Sequence, residues 1–197
     1  MKTKIIFLIT IITIIMLFVF VWRNNKKSQP LFISASPPVI TPVQAEASNI
    51  MDSPDGSKTL TLEKKETLSS LFISSKSDEQ RQQIFKKEET GSRSLSIPYN
   101  TWSPDNVYVF LKEKTPTINN YFVFQSSGDL FSNDLSYVSV QELFKKNVPD
   151  YLIEDVTGWA DPNLLIINAK SIEGDKKVSF WFDVPSQLFI KLGTYFK

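Results

Sequence analysis

The sequence predicts a mainly β fold of antiparallel meander sheets behind one N-terminal transmembrane helix, and three observations predict it. Eighteen uncharged residues occupy positions 5–22; the next 28 hold four prolines; the remaining chain repeats a turn followed by an apolar strand at a spacing near fifty.

Residues 1–4 form a short N-terminal tail. Residues 5–22 read IIFLITIITIIMLFVFVW, with only two threonines interrupting the apolar run. As a helix this stretch spans roughly 27 Å, close to the ~30 Å of a hydrocarbon core. Trp22 stands where an interfacial aromatic belongs, and Arg23 follows it into the headgroups. A cleaved signal peptide would have a shorter apolar run ending in small residues. Here the run ends Phe-Val-Trp-Arg, and the nearest A-x-A, Ala45-Glu46-Ala47, lies far beyond it, which favours retention. Lys2 and Lys4 are balanced by Arg23, Lys26 and Lys27, so flanking charge does not set the orientation. A long domain behind a short tail is the usual signal-anchor layout. The expectation is a single-pass plasma-membrane protein, with its N-terminus cytoplasmic and its domain extracytoplasmic.

Residues 23–50 include Pro30, Pro37, Pro38 and Pro42 and show no sustained period of 2 or 3.6. This stretch is a Pro/Ser-rich spacer, partly polyproline-like, reaching at most about 3 Å per extended residue.

About 150 residues, 51–197, remain for one β-rich domain. The chain has no cysteine and no histidine, which removes disulfides, thiolate and Ser-His-Asp catalysis, and imidazole metal ligation. Five basic residues flank the apolar segment. Removing them from the 22 leaves 17 against 21 acids, a net −4 with no basic stripe, which argues against nucleic acid as a partner.

The repeated grammar reads SPDGSKTLTLE at 53–63, WSPDNVYVFLKE at 102–113 and WADPNLLIINAK at 159–170. Proline presets φ near −65°, aspartate accepts a backbone hydrogen bond, and Gly56, Asn106 or Asn163 tolerates the left-handed conformation that reverses the chain. Leu60 and Leu62 alternate with polar residues, as in a half-exposed strand. Residues 107–111 and 164–167 are apolar on both faces, as in strands buried on both sides. Second apolar runs follow at 68–73, 121–124 and 178–182, and outer strands are expected near 83–86 and 187–192. One interruption, 138–146, has Val140, Leu143 and Phe144 at helical spacing with Ser139 as a candidate cap.

A W-S-P-D-G/N turn leading into an apolar strand every fifty residues resembles the repeat of TolB-like β-propellers, in which each blade is a four-stranded meander. The resemblance covers 51 to about 192. The first copy departs from it with Asp52 where Trp102 and Trp159 stand, and the third transposes Asp161 and Pro162. Three units fit, whereas closed propellers take four to eight. The expectation is therefore a partial propeller, either an open stack with capped ends or one whose chains associate to cover them. An unrelated antiparallel α+β domain that uses the same common turn residues remains the alternative. Trp102 and Trp159 belong to the core or a blade interface in either case.

Carboxylates are the remaining candidates for chemistry: Glu88-Glu89, Glu154-Asp155 and the loop from Asp129 to Asp134. That loop lacks the D-x-D-x-D-G spacing and terminal glutamate of an EF-hand, so it reads as a solvated turn. Glu154 and Asp155, adjacent on a strand, should point to opposite faces, which is wrong for an acid and base pair. Lys145-Lys146 and Lys176-Lys177 read as solvated faces. Six glycines supply no phosphate-binding loop. No catalytic, cofactor or metal residue is assigned. The resemblance implies a non-catalytic scaffold or protein-binding module of the cell envelope, with an envelope protein or a second copy as partner. The alternative is a carbohydrate-binding protein or carboxylate-based glycan hydrolase, distinguished by two carboxylates facing each other across a cleft.

Overall fold

Turn chemistry starts the strands. In the computed structural model, which describes residues 49–77, 81–132 and 134–196, the turns at Ser53 and Ser103 carry the same bonds. Each serine hydroxyl donates to the aspartate two residues on, at 2.7 Å, and accepts the N–H five residues on, at 2.9 Å. Gly56 and Asn106 then reverse the chain at φ 70° and 62°. The third turn differs: Asn163 does not adopt a positive φ. Its turn is the two residues between β9 (Tyr151–Asp161) and β10 (Leu164–Ser171), with Pro162 leading, and register shifts in the β9–β10 ladder absorb the change.

The strands form three four-stranded antiparallel meanders. The first sheet is β1 (Ile50–Asp52), β2 (Lys58–Lys65), β3 (Leu68–Ser75) and β4 (Arg81–Glu88). The second is β5 (Ser94–Ser96), β6 (Tyr108–Lys114), β7 (Asn120–Gln125) and β8 (Val138–Ser139). The third runs from β9 and β10 through β11 (Lys177–Asp183) to β12 (Leu188–Lys191). Among the described residues one helix, α1 (Val140–Asn147), joins the second sheet to the third. Ser139 stands at its N-cap but makes no side-chain cap bond, since it is still paired with Phe122 as a strand residue.

The sheets stack face to face in chain order. Val109, Leu111, Phe122 and Phe124 of the second sheet pack on Leu60, Leu62, Leu71 and Ile73 of the first. The alternate residues Phe110, Tyr121 and Val123 pack with Leu165, Ile167, Phe180 and Phe182 of the third, under Phe144 of α1. The middle sheet is thus apolar on both faces because each face meets another sheet, and each large side chain so buried contributes about 2 kcal/mol. The first sheet's outer face is more polar: Ile50 and Phe72 lie on it, but Thr59, Thr61 and Ser74 stand where the second sheet has Val109, Leu111 and Phe124. On that face the Arg81 guanidinium lies 3.7 Å from the Phe72 ring centroid and 2.6 Å from Glu63.

The tail and transmembrane helix expected over 1–22, and the spacer expected over 23–50 as far as residue 48, lie outside the described residues. The last two spacer residues are described and belong to the domain, since Ile50 opens β1 and the Asn49 carbonyl accepts the Leu62 N–H. Among the described residues no helix is long and apolar enough to cross a membrane.

Candidate binding groove

Two tryptophans, Trp102 just before the second turn and Trp159 near the end of β9, tie neighbouring meanders together. Trp102 donates its indole N–H to the Met51 carbonyl at 3.2 Å, and Trp159 donates to the Thr101 carbonyl at 3.1 Å. In repeat numbering both bonds are the same: the residue before the turn reaches back to the carbonyl two before the preceding turn. Trp159 also stacks on Tyr108, with ring centroids 6.1 Å apart, and meets Phe110 edge-on at 6.2 Å.

All three meanders line a groove of about 520 Å³. Met51, Asp52 and Pro54 come from the first sheet, Tyr99, Asn100, Trp102 and Pro104 from the second, and Thr157, Trp159 and Ile166 from the third. Its polar side chains are largely committed elsewhere. The Asp52 carboxylate accepts from Thr59 at 2.6 Å and Lys76 at 3.0 Å; the Thr59 hydroxyl first, and then Lys76, holds its carboxyl below the usual range. Asn100 donates to the Thr157 carbonyl at 2.9 Å. Gly158, at φ 137°, lets this crossing close, since a Cβ there would lie 2.8 Å from the Asn100 Cβ. What remains for a ligand is mostly proline, aliphatic and aromatic surface, with the Tyr99 and Thr157 hydroxyls beside it and Tyr99 71% exposed at its mouth.

A second cavity, about 380 Å³, lies between the first two turns and is lined by Asp55 and Asp105 among others. These carboxylates serve the turns. Asp55 accepts from Ser53 and from the N–H and hydroxyl of Ser57, and these bonds, the Ser53 hydroxyl foremost, hold its carboxyl down at about 2. It is ionised throughout the neutral range and is unsuited to act as a general acid. Asp105 accepts from Ser103 at 2.7 Å and from the Val107 N–H at 3.2 Å. Lys58 spans the cavity to the Ser126 hydroxyl at 2.8 Å.

The other carboxylates named from sequence are dispersed. Glu154 binds Lys177 at 2.9 Å and Tyr195 at 3.0 Å, whereas Asp155 faces the second sheet, where it meets Lys112 at 3.0 Å and the Tyr121 hydroxyl at 2.9 Å. Burial first, and then the Asp155 carboxylate, pushes the Tyr121 phenol well above its ordinary value. Glu89, grouped above with Glu88 as a candidate for chemistry, is a buried tie between sheets: it accepts from Ser69 at 2.6 Å and the Leu95 N–H at 2.8 Å and pairs with Lys64. In the loop from Asp129 to Asp134, the Asp134 N–H bonds the Phe131 carbonyl in an ordinary turn. Among the described residues no group of three acids is placed to hold a metal ion. Sequence reasoning missed the groove and its polar crossing. The TGW triplet at 157–159, a glycine just before a repeat tryptophan, was the available signal.

No protein-family model matches the chain, and no curated protein matches it. Among solved structures it is similar to the crystal structure of TolB from Acinetobacter baumannii, at a TM-score of 0.42 and 14% identity, over 74% of this chain and 32% of that one. The chain thus spans about a third of that structure's length.

Proposed function

We propose that this chain is a membrane-tethered, extracytoplasmic module that binds another protein without catalysis, through the groove where the segments leading into the three repeat turns converge. The supporting observation is what the groove leaves unspent. Its indole N–H groups, the Asn100 amide and Asp52 already have partners, which leaves two hydroxyls, of Tyr99 and Thr157, beside the apolar contact of the Tyr99 ring, Pro54 and Pro104. Sugar recognition needs polar side chains free to meet hydroxyls, whereas an extended peptide segment of a partner needs apolar surface and shape. The tether is the apolar run 5–22, whose length suits one crossing.

The test is co-purification from gently solubilised membranes. Wild-type protein should retain one partner reproducibly, and Tyr99→Asp should weaken that retention tenfold or more, as an anchor residue at a groove mouth does. Repeated recovery of no partner, or full retention by Tyr99→Asp, would reject the groove as the binding site.

A further inference from the structure

One repeat position runs through all three sheets. Leu60, Phe110 and Ile166 occupy it, each paired across its hairpin with Ile73, Val123 and Trp181 respectively. In the first two sheets these pairs are buried beneath the sheet that follows. No sheet follows the third among the described residues. Residues 192–196 return over half of its outer face, where Asn168 bonds the Phe196 carbonyl and the Ser179 hydroxyl accepts the Phe196 N–H at 2.9 Å. The other half keeps a row in register across three strands, Ile166, Trp181 and Ile190. Ile190 is 47% exposed, and the Trp181 indole N–H, shielded from water, has no acceptor. The carbonyl equivalent to those of Met51 and Thr101 belongs to Gly158, the partner of Ile166, and no described indole reaches it.

We infer that this half-face docks a β element of a different protein, which continues the stack as a fourth sheet would. Continuity with the two existing interfaces specifies the element. It is an antiparallel hairpin with alternating apolar residues on one face, and it carries a tryptophan seven to nine residues ahead of them, as Trp102 precedes Val109 and Leu111. That tryptophan donates to the Gly158 carbonyl. A second copy of this chain does not fit the role. The face it would present keeps Ile50 and Phe72, but Arg81 covers the Phe72 ring, Thr59, Thr61 and Ser74 replace Val109, Leu111 and Phe124, and Asp52 stands where the donor tryptophan is required. The face adjoins the groove at Ile166 but extends away from it to β12, so occupancy of one does not require the other.

The experiment places a photo-crosslinking side chain at Ile190 in the full chain, irradiates native membranes and sequences the linked peptide. The expected product joins β12 to one segment of another protein with alternating apolar residues and a tryptophan within ten residues before them. Ile190→Asp should lower co-purification of that protein at least tenfold while the unfolding temperature stays unchanged. A product between two copies of this chain, a product within one chain, no product, or a linked segment without tryptophan overturns the inference. Tyr99 lies outside the row, so failure of the groove experiment with success at Ile190 rejects the groove alone.

Discussion

Asp52 breaks the repeat for a reason visible at the level of one hydrogen bond. The tryptophan at this position works backwards, donating to the sheet before its own, as Trp102 and Trp159 do. No sheet precedes β1 among the described residues, so an indole there would find no described acceptor, and a carboxylate that binds Thr59 and Lys76 stands in its place. The converse loss is measurable: Trp159→Phe keeps the ring but removes the donor, and thermal unfolding should show a cost of about 1 kcal/mol. Gly158→Ala should cost more, about 1–3 kcal/mol, because alanine is strained at this φ and its Cβ meets that of Asn100. Asn100→Gly in the same chain should recover part of that loss by removing the clash. Neither Asn100 nor Gly158 carries a sequence signature of contact, since they lie 58 residues apart.

At the scale of elements, equivalent positions differ in worth because their surroundings differ. Phe110→Ala should destabilise by about 3–5 kcal/mol, as the third sheet cannot collapse into the cavity. Ile166→Ala, one repeat later, should cost about 1 kcal/mol, since none of the described sheets covers it. The tie between the first two sheets gives a pH signature. Burial raises the Glu89 carboxyl, but the Leu95 N–H, Lys64 and Ser69 outweigh it and leave the pKa below the ordinary 4.5. The unfolded chain therefore binds that proton first as pH falls. The stabilisation is complete above about 4.5 and is lost as pH drops through the lower folded value. Denaturant midpoints between pH 6 and 3 should fall more steeply for wild type than for Glu89→Gln; equal slopes would remove Glu89 from the account. The strands were legible because alternation and two-sided apolar runs follow directly from which faces are buried. The buried carboxylates were not: Glu89 in KKEET and Glu113 in LKEK look like surface, yet Glu113 is 1% exposed, held by Lys87 at 2.7 Å and Asn120 at 2.6 Å. Such partners come from other strands and sheets, which local composition does not encode. Ser139 and Asn163 failed as cap and left-handed turn residues for a related reason, the neighbouring ladder and turn having already set their backbones.

For the whole molecule, the two ends of the stack are unlike, with Thr59 and Thr61 on one outer face and Ile166, Trp181 and Ile190 on the other. Restoring the second sheet's character to the first, with Asp52→Trp, Thr59→Val and Thr61→Leu together, should create a surface that fits the third sheet of another copy. Head-to-tail contacts of this kind do not close, so light scattering should show polymers growing with concentration, in place of the wild-type species. The groove, by contrast, draws on all three sheets and was not legible, because its lining residues are joined only by the stack. The proposed function gives the groove only partners outside the cytoplasm, because it places the domain behind a membrane tether. Protease added to intact cells tests this most directly: the account predicts digestion of the domain after residue 49, leaving a protected membrane-bound fragment that carries the N-terminal tail. A domain that resists protease until the cells are lysed, or that washes from membranes in alkaline carbonate, would contradict it.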